Sequence, residues 1–239
     1  MRENPGRTAS GLILGVTPEL HDLAWPDRDR LHAADHTPEM ITHVWPGRPE
    51  RALHCDWRQV PLPERSVDIA MCDGGLHLMP ADGGQLQLAK HLAWLVETDG
   101  FVAFRLFLPP GTREPAETVL DDLLAGRIPD LNRLKLRLGC ALMPSSEEGV
   151  ALRDVWTCLA RLAEPDGWSS LAARLGWDET HLAAIDSYRD SGARYHFVDE
   201  DRAISLFTAG TGGAFSLERI TRPAYPMGEL CPTVVFRRL

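Results

Sequence analysis

The chain has 239 residues, 44% of them hydrophobic, enough to bury a sizeable core in one elaborated domain or two small ones. Its formal charge of -9 comes from 34 acidic against 25 basic residues, the basic ones scattered, which argues against nucleic acid as a main partner. No apolar run approaches the roughly 20 residues that span a bilayer, and "MRENPGRTAS" lacks the apolar core of a secretion signal, so a cytoplasmic protein without membrane association is expected.

The first hundred residues alternate short apolar runs with helical patterns, as βαβ units around a parallel sheet do. "GLILG" reads as the first strand, followed by a short helix over 18–25 that opens on Pro18, where the missing N–H is harmless. "RLHAAD" reads as the second strand, and Thr37-Pro38-Glu39 opens a helix running to Val44. "RALHCDW" is the third strand, "RQVPLPERS" a proline-punctuated loop and "SVDIAMCDGG" the fourth strand. Leu86, Leu88, Ala89, Leu92, Ala93, Leu95 and Val96 form a helical stripe that Asp99-Gly100 is expected to stop, before a fifth strand "FVAFRLFL".

Past Pro109-Pro110-Gly111 the character changes. Residues 114–125, 131–142, 147–162 and 168–188 all read as helical with no strand among them, which makes 112–191 a helical insertion or cap within a single domain, 1–239. Strands return in "GAFSLERITRP" and "CPTVVFRRL", a hairpin expected to close the sheet edge. Cys55, Cys72, Cys140, Cys158 and Cys231 are odd in number, far apart and without CxxC spacing, which suits buried thiols and neither disulfides nor zinc. His32, His36, His43 and His54 lack the paired spacing of helix-borne metal ligands, so no metal is expected.

In open α/β sheets, ligands bind outside the carboxyl ends of the strands, so the residues just after each strand carry the functional signal. The first exit, Gly15-Val16-Thr17-Pro18-Glu19, holds one glycine where a pyrophosphate cradle needs several. Asp35 follows Gly15 by 20 residues, a spacing at which a carboxylate accepts ribose hydroxyls, and it is equally placed to cap the next helix. Asp56-Trp57 offers an acceptor and a flat apolar face to a purine, or a turn cap and a core residue. Asp73-Gly74-Gly75 ends the most apolar strand with a charge that is costly to bury and two glycines that admit a ligand to the backbone, or forms a plain loop.

Taken in order, these four exits resemble the class I S-adenosylmethionine-dependent methyltransferases, most clearly over 11–108. The resemblance includes a subset whose first motif reads "LGVTPEL" in place of GxGxG, with "DHTPEM" after the second strand. It continues through "CDWRQVPLPERSVDIAMCDGGLHLM", similar to the family's "DW…LP…SVD…DG" segment, and through "ELCPTVVFRR". The resemblance implies an α/β, Rossmann-like, mostly parallel sheet with a C-terminal antiparallel hairpin and a helical insertion after strand five. It also implies S-adenosyl-L-methionine as cofactor and in-line methyl transfer to a small-molecule acceptor. Gly15 and Thr17 would border the methionine portion, Asp35 the ribose diol, and Asp56 and Trp57 the adenine. Asp73 with Gly74 would lie under the sulfonium and amino-acid end. The missing glycine cradle is consistent with a cofactor that carries no phosphate.

The sequence departs from the family in having only residues 1–10 before the first strand, so the helices that often cover the cofactor are expected to be absent or reduced. The 112–191 block or a second subunit, giving a homodimer, would then supply the lid. A non-catalytic methyltransferase-like scaffold or regulatory partner is the alternative. An NAD-dependent oxidoreductase would need further glycines where Val16, Pro18 and Glu19 stand. Methyl transfer from a sulfonium needs alignment and water exclusion more than a base, so no catalytic residue is assigned. His77 is the nearest titratable candidate for such a base, or a packed histidine; Tyr188, Tyr195 and His196 face the acceptor or are buried.

Overall fold

The computed structural model describes residues 8–239, so most of the segment read above for a leader, residues 1–7, lies outside the described residues. In chain order the strands are β1 (Gly11–Leu14), β2 (Leu31–Asp35), β3 (Ala52–His54), β4 (Val67–Asp73), β5 (Val96–Arg105), β6 (Val150–Ala151), β7 (Arg194–Tyr195), β8 (Phe215–Thr221) and β9 (Thr233–Arg238). The helices are α1 (Pro18–His21), α2 (Pro38–Val44), α3 (Gly84–Leu95), α4 (Ala116–Leu124), α5 (Leu131–Leu142), α6 (Leu152–Ala163), α7 (Gly167–Leu175), α8 (Glu179–Ala183) and α9 (Glu200–Phe207). They fall into two compact units: one built from residues up to 76, 83–106 and 200–239, the other from 77–82 and 107–199.

The first unit carries a seven-stranded sheet in the order β3-β2-β1-β4-β5-β9-β8. β1 to β5 are parallel, β9 runs antiparallel beside β5, and β8 pairs antiparallel with β9. Every residue of β1 is buried, as expected for a central parallel strand covered on both faces. The chain leaves β1 to one side for β2 and returns to the other side for β4, which makes the end of β1 the switch point of the sheet. Leu88, Leu92 and Leu95 of α3 are fully buried, while Phe207 of α9 stacks on Phe236 with ring centroids 4.5 Å apart and tilts against Phe104 at 5.2 Å. α9 has little signature in the sequence: it buries only Ala203 and Phe207, too little to announce a helix.

Asp99-Gly100 does something other than stop a helix. α3 ends at Leu95 and β5 starts at the next residue, because Val96 is buried in register with Val67. The register then slips between Val67 and Ile69, Asp99 takes a φ of 65°, and a Cβ on Gly100 would lie 2.7 Å from the Asp68 carbonyl oxygen. This is a β-bulge, and Asp99 Oδ1 fastens it to the neighbouring strand by accepting from Arg237 Nη2 at 2.5 Å.

The second unit is helical except for the two-residue pair β6 and β7, which run antiparallel. The pair corrects the expectation of an all-helical 147–188. Gly149 at φ 64° breaks the helical run ahead of α6, and Arg194 donates from Nε and Nη2 to the Glu148 and Gly149 carbonyls. Two residues are too few to show a period of two. The run over 168–188 is likewise divided, by left-handed Gly176 after α7 and by Asp178, whose carboxylate accepts from the Thr180 N–H at the start of α8.

Candidate cofactor site

All seven candidate residues belong to the first unit, at the carboxyl ends of β1 to β4. Gly15 leaves β1 with a φ of 94°, a conformation glycine adopts freely, and its N–H donates to the Ala34 carbonyl at 2.7 Å. Thr17 precedes α1 in extended conformation, and its carbonyl accepts from the Leu20 and His21 N–H groups. The turn therefore exposes backbone at a single glycine and presents a helix of one turn, which is no anion cradle.

Asp35, 7% exposed, ends β2. Its Oδ1 accepts from the Thr37 N–H at 2.8 Å, so the carboxylate does cap the approach to α2, and His36 Nδ1 lies 3.8 Å from the same oxygen. None of these contacts uses Oδ2. Capping and ribose binding are thus compatible, one oxygen for each.

Asp56 and Trp57 are arranged differently. Asp56 accepts from Arg58 at the backbone N–H (2.8 Å), at Nε and at Nη2, and the arginine holds its carboxyl below the usual range. Trp57 is buried, and its Nε1–H donates to the Ala34 carbonyl at 2.6 Å, the same oxygen that Gly15 engages. A Cβ on Gly15 would lie 3.6 Å from the indole, and one on Gly75 only 2.6 Å from it. The ring thus wedges under the exits of β1 and β4, joining three strand ends by packing, and leaves little face exposed.

Asp73 closes β4 opposite Arg105, the last residue of β5, with Oδ1 2.5 Å from Arg105 Nε. Burial raises the Asp73 pKa, Arg105 opposes that rise, and the Glu19 carboxylate on α1 adds to it. Gly74 follows at φ 70°, its N–H donating to the Arg105 carbonyl at 3.0 Å. Two carboxylates against one guanidinium leave a net negative charge beside the switch point, suited to an ammonium group and hostile to a phosphate. Glu19 and Arg105 were not among the residues singled out in sequence. The rule that finds Asp73 also reaches Arg105, once strand five is seen to end there and not at 108.

The second unit gathers several residues named from sequence. His77 is buried against Phe107, Phe197 and Tyr195, with centroid distances of 5.3, 5.0 and 4.5 Å. Tyr195 Oη lies 3.1 Å from Tyr188 Oη, whose pKa is pushed up chiefly by burial. The His77 carbonyl accepts from the His196 N–H, and His196 Nδ1 donates to the Ser146 carbonyl at 2.9 Å. Burial pushes the His77 pKa down to about 3, which leaves a neutral imidazole with little affinity for a proton. Among the described residues, no group of three or more His, Cys, Asp or Glu side chains is gathered as a metal donor set, and no helix is long and apolar enough to cross a membrane.

The strand order, with an antiparallel strand inserted between the last parallel strand and the sheet edge, is that of the Rossmann-like fold found in S-adenosylmethionine-dependent methyltransferases. No protein-family model and no curated protein sequence matches the chain. Solved structures do match, at identities that speak for the fold alone. A Rhodobacter sphaeroides protein named for zinc-dependent alcohol dehydrogenases superposes with a TM-score of 0.58 at 15% identity, over 99% of this chain and 87% of that one. The N-methyltransferase NodS of Bradyrhizobium japonicum, in complex with S-adenosyl-L-homocysteine, gives 0.51 at 13% identity over 98% and 79%. The 1,6-didemethyltoxoflavin-N1-methyltransferase of Burkholderia thailandensis, with 1,6-didemethyltoxoflavin and S-adenosylhomocysteine bound, gives 0.50 at 16% identity over 98% and 72%.

Proposed function

We propose that the protein is an S-adenosylmethionine-dependent methyltransferase acting on a small-molecule acceptor. The observation that carries this reading is the switch point itself. A single-glycine turn, a buried Asp35 and the acidic Glu19–Asp73 pair suit a cofactor with a ribose diol and an ammonium group but no phosphate. When bound, S-adenosylmethionine supplies an already activated methyl group on a sulfonium. The chain's own residues orient it: Asp35 accepts from the ribose through Oδ2, Asp73 and Glu19 face the ammonium, and Gly15 and Gly74 let it approach the backbone. Thr17 borders the methionine portion. Asp56 and Trp57 belong to the adenine end, Asp56 reaching a purine amine alongside Arg58 and Trp57 acting mainly as the floor that holds the three exits together. Two of the neighbours being methyltransferases crystallised with S-adenosylhomocysteine supports this choice over a dinucleotide. A cytoplasmic location and a homodimer belong to the same reading.

One observation favours a second reading, a non-catalytic methyltransferase-like partner: Arg58 already occupies the Asp56 carboxylate, and Trp57 has little free face for adenine. Calorimetric titration of the folded protein with S-adenosylhomocysteine separates the two. Saturable heat is expected, weakened at least about ten-fold by Asp35→Asn, which keeps the oxygen that caps α2 and removes the charge. No heat in the wild-type chain would leave the partner reading in its place.

A further inference from the structure

At the amino ends of the parallel strands, Ser10, Arg30, His32, Arg51 and Ser66 line a cavity of about 300 Å³. The sequence builds it from two short 3-10 turns, Arg28–Arg30 ahead of β2 and Pro49–Arg51 ahead of β3, each of which ends in an arginine. The parallel register pairs Ala33 with Ala52, which brings His32 alongside Arg51. Arg51 Nη1 lies 2.9 Å from His32 Nε2. A guanidinium can only donate, so Nε2 is the unprotonated nitrogen and Nδ1 carries the proton.

The cavity is short of negative charge. Among the described residues, neither Arg30 nor Arg51 has a carboxylate partner. The acids nearby are used elsewhere: Asp29 lies 3.2 Å from Arg48, Asp27 accepts from the Asp29 N–H, and Asp68 accepts from the Ser10 N–H. The wall hydroxyls are turned to the protein as well, Ser66 Oγ donating to the Pro63 carbonyl and Ser10 Oγ to that of Ser66. The His32 pKa is lowered by burial first and then by Arg51 and Arg30, as expected where positive charge is uncompensated. In a chain of net charge -9, two partly buried guanidiniums facing one cavity without a counter-ion among the described residues are an arrangement that an anionic ligand completes.

We propose that this cavity binds the phosphate or carboxylate groups of a small metabolite, with the planar forks of Arg30 and Arg51 as the principal donors and His32 Nδ1–H as a further one. Its volume suits a phosphate monoester or a small dicarboxylate and is at the lower bound of small-molecule pockets, too little for a nucleotide. The four residues of β1, at about 3.3 Å each, separate it from the candidate cofactor site by roughly 13 Å, so the two sites do not overlap and the proposal stands without the methyltransferase reading.

The test is calorimetric titration of the full chain with inorganic phosphate and, separately, with succinate, at constant chloride concentration. At least one anion is expected to bind saturably, and the anion that does so assigns the chemistry. Arg30→Gln combined with Arg51→Gln should weaken it at least about ten-fold. The imidazole proton resonance of His32, assigned by its loss in His32→Gln, should shift saturably in the wild-type protein, a readout that survives if the double variant fails to fold. Absence of saturable heat and of a His32 shift with both anions up to about 50 mM, roughly the weakest affinity such a pair of contacts would give, would overturn the proposal. Unchanged affinity in a folded double variant would overturn it too.

Discussion

Asp35 shows how a single side chain can answer to two readings at once. Its cap on Thr37 N–H is visible, and the ribose role rests on the other oxygen, which is why Asp35→Asn, not alanine, is the informative substitution. Trp57 and Gly75 are coupled more tightly than sequence spacing suggests. Gly75→Ala would drive a methyl group to 2.6 Å from the indole and against Cys72 Sγ, so a loss of about 1–3 kcal/mol in urea unfolding is expected, with Trp57→Ala costing about 3–5 kcal/mol. His77 gives a pH-dependent prediction. Its native pKa of about 3 lies below the ordinary 6.5, so between those values the unfolded chain binds more protons, and stability is full above pH 6.5 and lost as pH falls toward 3. His77→Phe keeps an aromatic ring among Phe107, Phe197 and Tyr195 without the titration. Between pH 7 and 4.5 the variant should therefore lose roughly 2–3 kcal/mol less than the wild type in urea denaturation.

At the scale of elements, apolar runs and glycine or proline boundaries place β1 to β4 and the terminal β8–β9 pair to within a few residues, and β5 only in part. The misplacements have particular causes. Asp99-Gly100 carries the usual mark of a helix end, yet β5 is already under way at Val96, because burial opposite Val67 outweighs local propensity. The bulge can be tested directly. Asp99→Ala keeps a Cβ at φ 65° and removes the Arg237 contact, whereas Asp99→Gly removes the contact and relieves the left-handed strain; alanine should be the more destabilising by about 1 kcal/mol. The exposed ion pair itself should contribute only about 0.2–1 kcal/mol. β6, β7 and α9 escaped the sequence because their patterns are two residues, two residues and one apolar face long.

For the whole molecule, charge and topology decide what the chain can meet. A net charge of -9 without a basic stripe predicts no fluorescence anisotropy change for a labelled 30-bp duplex with up to about 10 μM protein at physiological salt, since binding needs several phosphates neutralised together. One cavity with two arginines does not make such a footprint. The chain divides into two compact units, and residues 112–191 lie within the one formed by 77–82 and 107–199.

The parallel sheet, the first four strand exits and the acids that stand at them are legible in the sequence, because burial of a central strand and the turn after it are written in a few adjacent residues. How those exits interact is set by the packing of the folded sheet. Trp57 shares the Ala34 carbonyl with Gly15, Arg105 pairs with Asp73, and Arg30 and Arg51 open onto one cavity. Each of these joins residues brought together by strand order and register, which depend on long-range pairing that no local pattern encodes.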